Sequence, residues 1–182
     1  MLAAICLTIL AIECGGEPLR LTLRYERAGL EHGQLWRLVT GHLVHLGWAH
    51  VALNLAGLGL MWALFCADYA PRQWLLVVAG AALAIDGGFW FLDPRLAWYV
   101  GLSGVLHGVM SAGTLAHLKR RDWDAWILIA FIAGKLAWEQ TQGALPLGGG
   151  EGRMHVVIDA HLYGAVGGLL VALWLRPRTQ PL

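Results

Sequence analysis

The 182-residue chain is a succession of long apolar runs broken by short polar stretches. Six apolar segments stand out, at about residues 1–14, 48–66, 73–92, 101–118, 124–139 and 155–175. Several approach the roughly 20 residues that a helix needs to cross the hydrocarbon of a bilayer. The first is short, which a ragged start or a locally thinned bilayer accommodates. It has no Lys or Arg before its apolar run and no small-residue cleavage site, so it reads as a retained helix rather than a signal peptide. The pattern predicts an all-α membrane protein, a compact bundle of six transmembrane helices forming one domain over residues 1–182. A long loop, 17–47, joins the first two helices.

Composition agrees with this reading. Hydrophobic residues make up 58% of the chain and charged residues 14%, against about 25% charged in ordinary soluble domains. A net charge of +1 leaves no polybasic surface for nucleic acid. Cys6, Cys14 and Cys66 lack metal or disulfide spacing and read as apolar fillers. Arg72, Lys119, Arg120, Arg121, Arg176 and Arg178 fall on one side of the expected bundle. Arg95, Arg153 and the four arginines of the 17–47 loop fall on the other. Acidic residues are interspersed in that loop, so the first side is read as cytoplasmic, and with it the N-terminus.

Polar residues then interrupt the apolar runs at one depth. The second, fourth and sixth helices must run in the same direction, and each carries its polar motif near its start. These motifs are His50 with Asn54, "GLSGVLHG" (101–108) and "HVVIDAHLYGAVGG" (155–168). His50 and Asn54 share a face at i, i+4. His161, Gly164 and Gly168 follow i, i+3, i+7, a smooth face on which a second helix can approach closely. Gly104 and Gly108 offer the same on the fourth helix. A serine needs a base within hydrogen-bond reach to act as a nucleophile, and Ser103 and His161 are the pair that this layering brings together.

At this point the motifs resemble a known family. "WRLVTGHLVHLGWAHVALN" (36–54), "GLSG" (101–104) and "AHLYGAVGG" (160–168) resemble the rhomboid intramembrane serine proteases in motif and order. The length, "GHLVHLGWAHVALNLAGL", His107 within "GLSGVLHG" and "DAHLYG" look most like the rhombosortase branch. The resemblance implies Ser103 as nucleophile and His161 as general base, a dyad without a carboxylate. His50, Asn54 and the main-chain N–H groups of Ser103 and Gly104 would hold the oxyanion. Gly101, Gly164, Gly168 and His107 would support the site, and Trp36, Arg37 and His45 would be structural. No cofactor or metal is implied. The expected substrates are exported proteins with a C-terminal Gly-Gly-containing membrane tail, cut in the bacterial inner membrane with the active site opening to the periplasm.

Other polar residues carry weaker expectations. Asp159 stands at i−2 from His161, which points it about 200° away and argues against a triad role. Lys135 and Glu139, at i, i+4, are expected to satisfy each other. His42 has no assigned role beyond an interfacial polar residue, and "PLGGGEG" (146–152) reads as either a gate or surface slack. Two competing functions remain. Six histidines (42, 45, 50, 107, 155, 161) could furnish ligands for zinc or iron, although the H-E-x-x-H pattern is absent. A non-catalytic rhomboid-like binder of membrane helices is the second, but it would be expected to lack Ser103 or His161.

Overall fold

The computed structural model describes residues 2–144 and 157–178. These residues are mostly helical. α1 (Leu2–Cys14) and α2 (Gly16–Leu23) form a pair bent by 118°, with Gly16 at φ +67° in the turn. Glycine adopts that left-handed conformation at little cost. Next come β1 (Tyr25–Glu26), α3 (Arg27–Glu31), α4 (Arg37–Thr40) and a 3-10 turn at Gly41–Leu43. The remainder is α5 (Trp48–Phe65), α6 (Pro71–Phe91), β2 (Trp98–Tyr99), α7 (Ser103–Arg120), α8 (Ala125–Gln142) and α9 (Ile158–Trp174).

Local chemistry accounts for where the helices differ from the expected segments. α6 starts two residues earlier than 73 because Pro71 fixes a helical φ and needs no N–H at the first position. α7 starts two residues later than 101 because Gly101, at φ +126°, cannot be helical. α8 runs on to Gln142 and stops at Gly143, φ +86°. The expected 17–47 loop is corrected most: α2, α3, α4, β1 and a 3-10 turn occupy it. Their polar ends are satisfied within the segment, where Arg37 donates to the carbonyls of Leu21 (2.9 Å) and Arg24 (2.8 Å).

By length and hydropathy α5 and α6 are candidate membrane spans, and the bent α1–α2 pair makes a third. α9 is apolar but has 17 residues. The expectation of six spans is therefore met in a coarser form: a mostly helical chain with two to three candidate spans among the described residues. α7 is long enough but less apolar, because Ser103, His107, Ser111, Thr114, His117, Lys119 and Arg120 lie along it, and eleven of its residues are buried. A helix wrapped by other helices can carry Ser, Thr and His that lipid would not tolerate. Outside the core, large apolar side chains face outward in number, among them Leu83, Phe91, Trp123 (82% exposed) and Trp174 (90%). Exposed apolar side chains in such number suit a surface that meets lipid rather than water.

α9 lies between α6 and α7, and glycines set the spacing. A Cβ on Gly104 would come 2.8 Å from the Ala160 carbonyl oxygen; one on Gly108 would come 2.7 Å from that of Gly164. In return, Cβ atoms on Gly164 and Gly168 would strike the backbones of Gly104 and Gly108. The matched four-residue steps show that α7 and α9 run parallel. Gly88 meets Tyr163 and Gly80 meets Val171, so α6 runs antiparallel to α9. Gly57 meets Leu106 and Gly113 meets Phe65, which places α5 parallel to α7.

The two ends of the bundle are tied differently. At the far end of α7, Arg120 bridges Asp68 (2.9 Å) and Asp122 (2.8 Å), and His117 bonds Asp124 (2.9 Å). Lys119 caps α9 by donating to the carbonyls of Ala172, Leu173 and Leu175, as cations do at helix C-termini. At the Ser103 end, β1 pairs antiparallel with β2, Tyr25 opposite Tyr99 and Glu26 opposite Trp98. Arg27 donates to carbonyls at the end of α6 and just beyond it, those of Phe89, Asp93 and Leu96. The N-terminal segment thereby grips the chain just ahead of α7.

Candidate active site

Ser103 is the first residue of α7 and His161 lies in the first turn of α9. The parallel glycine contact brings these two ends together. Ser103 Oγ–H donates to His161 Nε2 at 2.9 Å. On the other side of the ring, His161 Nδ1–H donates to Glu139 Oε2 at 2.9 Å. Glu139 Oε1 in turn accepts from Lys135 Nζ at 2.6 Å. His161 is 4% exposed and Glu139 3%, so the bond between these two is shielded from solvent. Where the resemblance implies a Ser–His pair without a carboxylate, the structure places an acid from α8 against the far nitrogen of the ring.

His107 stacks on His161, with ring centroids 4.1 Å apart and planes at 16°. Its Nδ1–H donates to the Ser103 carbonyl at 2.7 Å. One turn below, an apolar cavity of about 270 Å³ separates α7, α8 and α9, with Ser111, Leu136 and Ala165 in its wall. The polar cluster therefore has an apolar floor.

His50 stands on the opposite side of Ser103. Its Nδ1 accepts the Leu46 N–H at 3.2 Å, which leaves the hydrogen of a neutral ring on Nε2. A Cβ on Gly101 would lie 3.2 Å from that Nε2 and 3.9 Å from Ser103 Oγ. The missing side chain at Gly101 is what leaves open space between them. Asn54 is 4% exposed, donates one amide hydrogen to the His50 carbonyl at 3.0 Å and keeps its second. Ser103 and Gly104, at the start of α7, carry main-chain N–H groups at the positive end of the helix dipole.

Residues 32–178 match the family described as Rhomboid domain, a span that holds all of these side chains. The chain belongs to the rhomboid family. A Bacillus subtilis (strain 168) protein named "Putative rhomboid protease YdcA" is 25% identical over 144 residues, covering 79% of this chain and 69% of the relative. No solved structure matches. Membership and this relative together support a protease, and with the apolar helices a multi-pass membrane protein.

The remaining expected residues of this rhomboid fall around the site. Trp36 is half-exposed and donates from Nε1 to the Thr22 carbonyl at 3.3 Å. Arg37 is buried and also bonds Gln34 Oε1 at 2.6 Å. His42 sits 3.4 Å from Asp86 on α6, edge-on to Tyr99. Asp159 accepts from Gln140 at 3.3 Å and does not reach His161's partners. His155 and the 146–152 stretch lie outside the described residues.

His45 is 1% exposed, donates from Nδ1 to the Leu43 carbonyl at 3.1 Å and meets the His50 ring edge-on. Burial, and then the neighbouring His50, push its pKa down from 6.5 to about 4. An unfolded chain takes up a proton here below pH 6.5, whereas the folded one does not until about pH 4. Stability is therefore expected to drop as pH falls through that window, by up to roughly 3 kcal/mol. Denaturant unfolding at several pH values, compared with His45→Phe, measures this share.

Of the histidines weighed as metal ligands in the competing reading, His107 and His161 alone among the described residues join a tight group with a carboxylate, Glu139. Its chemistry does not suit a cation. The facing atoms of His161 and Glu139 already bond each other, the two rings lie flat together, and Lys135 ammonium occupies the other carboxylate oxygen. The residue that sequence reasoning placed elsewhere is Glu139. Its signal was present, an acid inside an apolar run, but the i, i+4 lysine offered a sufficient partner.

Proposed function

We propose that this rhomboid is an intramembrane serine endopeptidase in which Ser103 attacks the scissile carbonyl and His161 is the general base. The observation that carries this reading is the 2.9 Å bond from Ser103 Oγ to His161 Nε2, part-buried within a rhomboid-family chain. His161 takes the Ser103 proton as Oγ bonds the carbonyl carbon, then delivers it to the leaving amine. Water repeats the cycle on the acyl-enzyme. The oxyanion is held by His50 Nε2–H, the free Asn54 amide hydrogen and the N–H groups of Ser103 and Gly104. Losing one such donor costs about 3–4 kcal/mol of transition-state stabilisation in hydrolases of this kind.

The six longer helices are read as six spans, with Arg72, Lys119 to Arg121, Arg176 and Arg178 on the cytoplasmic side. The site then opens to the periplasm from the inner membrane, and the N-terminus is cytoplasmic. As the rhombosortase-like motifs suggest, the substrate is an exported protein carrying a C-terminal Gly-Gly-containing membrane tail. Two glycines weaken a helix by roughly 1 kcal/mol each, which favours the extended strand that Ser103 must meet.

A fluorophosphonate probe tests the chemistry. Wild-type protein in detergent is expected to label, with Ser103→Ala and His161→Ala blank; equal labelling of Ser103→Ala removes the nucleophile. A reporter fused to the tail tests the substrate. Cleavage with Gly-Gly and none with Leu-Leu supports the tail, whereas equal cleavage shows that the protease does not read it.

A further inference from the structure

Glu139 lies on α8, an element that contributes neither the nucleophile nor the base. We propose that Glu139 is a positioning residue for His161, and that Lys135 fixes which carboxylate oxygen faces the ring. The inference rests on the Ser103–His161 reading above and adds a third side chain to it.

A neutral imidazole carries one N–H. To accept the Ser103 proton, His161 must keep Nε2 bare and hold its hydrogen on Nδ1. A carboxylate accepts and cannot donate, so Oε2 at 2.9 Å enforces that tautomer. Lys135 clamps the other oxygen at 2.6 Å, so the carboxylate cannot swing away. As His161 gains its second proton, the fixed charge of Glu139 lies against Nδ1, where the new positive charge is shared.

The surroundings leave no substitute among the described residues. From α7 the ring faces Ser103 and His107, and His107 has spent its Nδ1–H on the Ser103 carbonyl. From α5 comes His50, held by Leu46 N–H. From α6 the titratable group is Asp86, turned to His42. On α9 itself Asp159 turns to Gln140. Lys135 and Glu139 of α8 are the pair at Nδ1.

A purely structural ion pair makes a different prediction, and glutamine separates the two. Lys135 needs an acceptor, so in Glu139→Gln the amide oxygen turns to Lys135 and the NH2 group to His161 Nδ1. That pairing drives the imidazole hydrogen onto Nε2, where Ser103 can no longer donate. Replacing the acid of a serine-protease triad by its amide lowers kcat by about 10⁴. Glu139→Gln is expected to lower kcat by about 10³–10⁴-fold, with KM within about twofold. Adding Lys135→Met frees the amide to present its oxygen to Nδ1, and is expected to restore at least tenfold of the loss.

The experiment measures tail cleavage per folded, monodisperse protein, alongside ¹⁵N NMR of histidine-labelled enzyme with His161 assigned by loss in His161→Ala. The expected result is an Nδ1-protonated ring in wild type, inverted in Glu139→Gln and recovered in the double variant. Wild-type kcat in Glu139→Gln, or an unchanged ring tautomer there, overturns the proposal. If wild type shows no Ser103-dependent cleavage, the protease reading fails instead, and the tautomers still decide the role of Glu139.

Discussion

His161→Ala is expected to lower kcat by about 10⁶-fold, the loss seen when a serine protease loses its base. Its imidazole is the only group among the described residues that accepts the Ser103 hydroxyl proton. His107 cannot take over. Its ring lies flat against the place that His161 leaves, and its Nδ1–H stays bonded to the Ser103 carbonyl. The variant should still fold, because Glu139 keeps Lys135 as a partner and no buried charge is stranded. Tail cleavage in liposomes, with an intact helical signal, checks both halves. A variant within tenfold of wild type would remove His161 from the mechanism.

Gly168→Val should damage fold and activity together. A Cβ there meets the backbone of Gly108, and backbone cannot rotate aside as a side chain can. The cost is expected to exceed the roughly 1–3 kcal/mol usual for an overpacked core. Relief requires α9 to move off α7, and those helices carry His161 and Ser103. A displacement near 1 Å is enough to cost about 10² in rate. Gly134 is the control: it lies in α8 with nothing within 4 Å of its Cβ position. Gly134→Ala should be neutral or slightly stabilising, since alanine favours helix. Unfolding midpoints in SDS and cleavage rates test both, and equal stability of the two variants would contradict the close contact.

Much of the bundle was legible because burial in lipid writes itself as long apolar runs. Pro71, Gly101 and Gly143 then moved the helix ends by two or three residues, each through its own backbone preference. The layering of His50, Ser103 and His161 could be inferred from helix direction alone, since parallel helices share a depth. Two things could not. The 17–47 segment lacks long apolar periodicity, and its order comes from Arg37 bonds within it together with partners far along the chain, such as Tyr99 for Tyr25. Glu139 reaches His161 across 22 residues, and spacing within one helix shows only its lysine.

The last described helix supplies the partner of a residue made 58 positions earlier. Ser103 is made well before α9 exists, and α9 must pack against α6 and α7 to bring the imidazole to it. Until then the hydroxyl has no base. On the proposed Ser103–His161 reading, a half-synthesised molecule is therefore inert, and its chemistry begins only when α9 has packed.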